Sequence, residues 1–69
     1  MSENRNEIAA RLRGARDAAG FTVESAAEAL KLEPEVYAAI EAGTRDLPMG
    51  LLPQIGTLFG IEGSAILTG

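Results

Sequence analysis

Apolar residues recur along the start of the chain at helical rather than strand spacing. Ile8, Leu12 and Ala15 stand at i, i+4 and i+7, and Asn4 followed by Glu7 has the spacing of a capping box. The pattern predicts a first helix over residues 5–19, ended by Gly20, where a left-handed residue is wanted. Thr22 can cap a second helix over 23–30, with Ala26, Ala27 and Leu30 on its inner face. Only Lys31, Leu32 and Glu33 separate it from a third helix over 34–42. That helix opens on Pro34, which suits a first helical position because no N–H is needed there. Tyr37, Ile40 and Glu41 share one of its faces, and Gly43 stops it. The segment TRDLPM (44–49) reads as a loop. Leu51, Leu52, Ile55, Leu58 and Phe59 mark a fourth helix over 50–59 that tolerates Pro53 in its first turn and ends at Gly60. A short helical turn over 63–67 completes one compact, all-α, five-helix domain spanning 1–69.

Composition narrows the chemistry more than the fold. Sixty-nine residues bury only about 60% of their unfolded surface, so the core is thin. With no Cys and no His, the usual zinc sites, thiol chemistry and disulfides are excluded, and we expect neither metal nor cofactor. The hydrophobic share is 46% but only 4% is aromatic, because Ala supplies much of it, and that composition favours helices. No apolar run approaches the roughly 20 residues needed to span a membrane. The stretch MSENRNE lacks the basic-then-apolar layout of a signal peptide, so a cytoplasmic location and no membrane partner are expected. Glu33 and Glu35 have no third ligand or general acid beside them, and we expect no enzyme and no small-molecule site.

The net charge of −4 opposes a general affinity for nucleic acid. Its distribution is uneven. Arg11, Arg13 and Arg16 cluster early, while Lys31 and Arg45 stand nearly alone later. Arg11 and Arg13 read as a solvated face salted against Glu7 and Asp17 rather than as phosphate anchors.

The run RLRGARDAAGFTVESAAEALKLEPEVYAAIEAG, then a Pro-containing loop, then LLPQIGTLFGIEGSAILTG, resembles the phage-repressor and Cro type of helix-turn-helix domain, the XRE family. The joint spacing of Arg16, Gly20, Ala27, Ile40, Glu41, Gly43, Pro48 and Gly60 carries the resemblance, which covers residues 7–69. It implies a lambda-repressor-like fold with the helix-turn-helix at helices 2 and 3. It also implies an ion pair between Arg16, late in helix 1, and Glu41, at the end of helix 3. Such an Arg fork on a carboxylate would lock the two helices together.

The same resemblance implies that helix 3 enters the major groove of double-stranded DNA and that nearby helix ends and loop residues hold phosphates. Carried onto this chain, the candidate DNA-binding positions are Thr22, Val23, Glu33, Pro34, Glu35, Ala38, Ala39 and Arg45. Several depart from the pattern. Val23 stands where Gln is common and can make no hydrogen bond to DNA. Lys31 stands where Gly often supplies a positive φ, and Ala26 where Leu is typical. Glu can accept from a cytosine amino group and Ala can touch a thymine methyl, but neither is a usual reader.

Two further readings follow from those departures. Val23, Val36 and Ala39 could form a small apolar patch where polar readers normally stand, making the domain a protein-interaction module or antirepressor. Ile66 and Leu67, near the C-terminal end, could instead support a homodimer or a self-associating module. The leading expectation is a DNA-binding transcriptional regulator acting as a dimer.

Overall fold

The computed structural model describes residues 3–68, with side chains from Arg5 to Leu67. Five α-helices follow in order: α1 (Glu3–Ala19), α2 (Val23–Ala29), α3 (Pro34–Glu41), α4 (Leu52–Phe59) and α5 (Ser64–Thr68). A single 3-10 turn, Met49–Leu51, leads into α4, and no strand occurs among the described residues. The fold is all-helical.

The helices are short because the backbone is turned at fixed points. Left-handed residues end the first four: Gly20 (φ 82°), Lys31 (φ 60°), Gly43 (φ 79°) and Gly60 (φ 72°). After α2, the Lys31 amide donates to the Glu28 carbonyl at 3.1 Å and the Leu32 amide to the Ala27 carbonyl at 2.8 Å. This is the paired bonding of a Schellman cap, repeated after α3 by Gly43 to Ile40 and Thr44 to Ala39. Lys31 is the one non-glycine residue with positive φ among those described, at a cost of roughly 1–2 kcal/mol. The helix-turn-helix turn therefore takes its left-handed geometry without the glycine that would make it easy. At Gly43 the left-handed backbone itself calls for glycine, and a side chain there would also push the Asn6 amide of α1 aside.

Six helix boundaries differ from the sequence expectation: the starts of α1 and α4 by two residues, and the ends of α2 and α3 and both ends of α5 by one. α1 already includes Glu3, ahead of the expected start at residue 5. Asn4, the expected capping residue, lies outside the residues whose side chains are described. Regular α4 starts only at Leu52, so the expected first residues of that helix form the 3-10 turn instead. Pro53 accounts for this, since its ring clashes with the carbonyl four residues back unless it sits in the first turn of the helix.

The core gathers Leu12 from α1, Ala26 and Ala27 from α2 with Leu30 at its C-cap, Tyr37 and Ile40 from α3, and Ile55 and Phe59 from α4. Leu47 closes it from the loop and Ile66 from α5. α1 is the hub, packing against α3, α4 and α5, while α2 rests chiefly on α3. Phe21 and Phe59 meet edge to face with centroids 5.5 Å apart, tying the entry to α2 to the end of α4. α4 meets the segment between it and α5 through glycines: a Cβ on Gly56 would lie 2.7 Å from the Ile61 carbonyl oxygen, and one on Gly63 2.6 Å from that of Leu52.

Ile66 overturns one expectation. Its side chain is 1% exposed, so it cannot line a protein interface. It is the apolar anchor by which five-residue α5 holds on to the core, an anchor that a helix so short requires.

Candidate nucleic-acid interface

The interface begins with a buried joint. Arg16 Nε donates to Glu41 Oε2 at 2.7 Å and its Nη2 to Glu41 Oε1 at 3.2 Å, a two-pronged grip between α1 and α3. Nη1 reaches the Phe21 carbonyl at 2.8 Å, so the same guanidinium also fixes the segment that enters α2. Glu41 is only 6% exposed, and its bond holds the Arg16 guanidinium above its usual pKa. Beside the pair, the Tyr37 hydroxyl is buried and has no hydrogen-bond partner among the described residues. Burial pushes its pKa well above the ordinary tyrosine value, and the neighbouring Glu41 carboxylate pushes it further. α1, α2 and α3 are thus locked at one point, which sets the angle at which α3 is presented.

Around that joint lie the two helix starts. The Thr22 side chain accepts from the Ser25 amide at 3.0 Å, while the Ser25 hydroxyl accepts from the Thr22 amide at 2.9 Å. This capping box consumes donors that could otherwise meet a phosphate. α3 has no side-chain cap: Glu33 stands at its N-cap position and Pro34 supplies its first turn. Glu35 follows in that turn, where a carboxylate is stabilised by the positive end of the helix dipole. Glu33, Pro34, Glu35 and Ala38 are exposed, and Ala39 is half-buried.

The apolar patch is smaller than its sequence positions allow. Val23 and Val36 are half-buried and pack one side against the core, leaving only their edges to solvent. Leu67 is likewise half-buried. Next to this face, Glu24, Glu28 and Glu33 rim a groove of about 380 Å³ floored by Leu32 and Pro34.

Beyond the expected Arg16–Glu41 and Arg11–Glu7 pairs, sequence reasoning missed how the arginines are used. Arg11 pairs with Glu7 at 3.6 Å, and its Nη1 also caps α5 by donating to the Leu67 carbonyl at 2.7 Å. Arg13 is not salted against Asp17; its Nη1 reaches the Glu41 carbonyl at the end of α3, 3.5 Å away. Asp17 instead lies 3.5 Å from Arg16. Arg5 donates to Asp46 at 2.7 Å. Every arginine of α1 is engaged inside the domain; among the described residues Arg13, Lys31 and Arg45 have no ion pair, and of these only Arg13 is held by a hydrogen bond, to the Glu41 carbonyl. The partners lie 28 to 56 positions away for Arg13, Arg5 and the α5 cap, so no local spacing signals them.

No metal-holding group of His, Cys, Asp or Glu is present among the described residues, and none of their helices is long and apolar enough to cross a membrane. No curated protein and no solved structure matches the chain. A family of helix-turn-helix domains matches residues 7–66, nearly the whole length. The match takes in the Arg16–Glu41 joint, both helix starts and the left-handed turn at Lys31, in keeping with the phage-repressor resemblance of the sequence. The chain belongs to the helix-turn-helix domain family.

Proposed function

We propose that the protein is a transcriptional regulator of the Cro and repressor type that places α3 in the major groove of double-stranded DNA. The observation that carries this reading is the Arg16–Glu41 joint: one side chain fixes α1, the entry to α2 and the end of α3. Such a joint presents the N-terminal turn of α3 as a rigid unit, which groove insertion requires. Glu35, Ala38 and Ala39 face the bases in this arrangement, offering a carboxylate for a cytosine amino group and methyl surface for thymine. Thr22, Val23, Glu33 and Pro34 flank the groove, and Arg45 meets the backbone.

The regulator acts in the cytoplasm as a pair of copies. One copy has few cations left for phosphates, and two copies double the contacts while reading half-sites about 34 Å apart. It performs no catalysis; its output is occupancy of an operator. Selection from a random duplex library, followed by fluorescence anisotropy at low salt, tests the proposal. Enrichment of a two-fold symmetric site bound at sub-micromolar concentration is the expected result. Absence of binding at tens of micromolar would overturn it.

A further inference from the structure

A basic element lies apart from the reading positions of α3. Between the beginning of α1 and the loop that leaves α3 there is a groove of about 350 Å³. Ile8, Ile40 and Leu47 form its apolar floor, while Arg5, Arg45 and Asp46 stand at its rim. Arg5 uses only its Nε on Asp46, so among the described residues both of its terminal nitrogens keep their hydrogens uncommitted. Arg45 has no ion pair or hydrogen bond to the described residues, and its backbone is steadied from the preceding position. There the Thr44 amide and hydroxyl both donate to the Ala39 carbonyl, at 3.0 and 3.1 Å.

The charge at this rim is uneven in a useful way. Two guanidiniums against one carboxylate leave a single positive charge, which matches the single negative charge of a phosphodiester. The Asp46 side chain is 81% exposed, so its pair with Arg5 is bathed in water and is readily exchanged for a stronger anionic acceptor. A guanidinium with two free N–H-bearing nitrogens can grip two phosphate oxygens at once, as a lysine cannot.

We propose that Arg5 and Arg45 together form a phosphate-group site, and that Asp46 is its internal placeholder. Asp46 holds the Arg5 fork at the groove while the site is empty and gives way when a phosphate enters. The proposal rests on the DNA reading for the source of that phosphate, a backbone phosphodiester beside the bases that α3 faces; a free phosphate presents the same oxygens. It extends the interface from the loop after α3 to the start of α1, more than forty positions away in sequence.

The test has two arms on the full chain. In the first, inorganic phosphate is titrated at constant ionic strength while the Nε–H signals of the arginines are followed by NMR. Saturable shifts at Arg5 and Arg45, with Arg11 and Arg13 unmoved, are expected. Arg5→Gln should abolish the shift at Arg45, and Asp46→Asn should tighten phosphate binding several-fold. In the second arm, the salt dependence of duplex binding is compared between the native chain, Arg5→Gln and Arg45→Gln. Each variant should lower the slope of log K against log salt by about 1 per bound copy. Asp46→Asn should raise duplex affinity, an effect opposite in sign to any loss of folding, and circular dichroism checks that all variants remain helical. Phosphate shifts without any duplex binding would keep the site and remove DNA as its source. Duplex binding with unchanged slopes, or phosphate shifts spread equally over all arginines, would overturn the site and leave the DNA reading standing.

Discussion

Along the inner side of α3, Tyr37, Ile40 and Glu41 are almost wholly out of water, and Glu41 is gripped by both prongs of Arg16. Along the outer side, Glu33, Pro34, Glu35 and Ala38 are exposed and touch no cation among the described residues. The two sides answer to different physics. Inside, a charge is tolerated only because its partner is fixed, so the identity of each residue is tightly constrained. Outside, the carboxylates follow from the needs of the helix itself: α3 lacks a side-chain cap, and acidic residues in its first turn satisfy its dipole. The same carboxylates occupy the end of the helix that a phosphate would otherwise seek. Stability of α3 and attraction of DNA to it are therefore set against each other at Glu33 and Glu35.

The comparison breaks most severely at the joint. Arg16→Met strands the Glu41 carboxylate among apolar neighbours, and chemical denaturation should show a loss of about 3–5 kcal/mol. The double change Arg16→Met with Glu41→Leu should recover most of that loss, because the stranded charge is gone. If the single and double variants unfold at the same denaturant concentration, the joint is not what holds α1 to α3.

Tyr37 sharpens the inner side further. Its hydroxyl is buried without a hydrogen-bond partner among the described residues, so Tyr37→Phe should stabilise the domain by about 1 kcal/mol. The pH dependence has a definite sign. The folded-state pKa is raised above the unfolded value of about 10, so this contribution is complete below that pH. It is lost as the pH rises beyond it, because the unfolded chain then gives up its proton more readily. Thermal melts between pH 9 and 11 should show falling stability in the native chain and a flatter response in Tyr37→Phe.

Lys31 tests the turn between α2 and α3. Lys31→Gly relieves the left-handed strain and should add about 1 kcal/mol to unfolding stability. Unchanged stability would mean that the ammonium stem contributes packing that offsets the strain. The smallest stability effect per site belongs to the outer side. Glu33→Gln with Glu35→Gln should cost only about 0.3–1 kcal/mol per site through the helix dipole. Duplex affinity, read by anisotropy, should rise in the same variant. A fall in affinity would show that these carboxylates read bases.

How much of this is legible in the sequence depends on distance along the chain. The helix stops at Gly20, Gly43 and Gly60 and the cap at Thr22 are local, because each is set by neighbours within five residues. The Arg16–Glu41 spacing is readable only through the family pattern, since nothing local to either residue calls for the other. Ile66 shows the limit. An apolar residue near a chain end reads equally as interface or as core, and only the packing of α5 against α1 decides. The engagement of Arg5, Arg11 and Arg13 was hidden for the same reason. The partners of Arg5, Arg11 and Arg13 in the loop after α3, the end of α5 and the end of α3 all lie far away along the chain.

Under the proposed function, a helix-turn-helix whose arginines are mostly spent on its own scaffold still engages DNA, with few phosphate contacts. The slope of log K against log salt for duplex binding measures that most directly, between about 20 and 200 mM salt. Lys31, Arg45 and an Arg5 released from Asp46 are the cations available in each copy, so the slope should be no steeper than about −3 per copy. A slope near −6 per copy would mean that the scaffold arginines reach the DNA after all, and no measurable binding at the lowest salt would contradict the account outright.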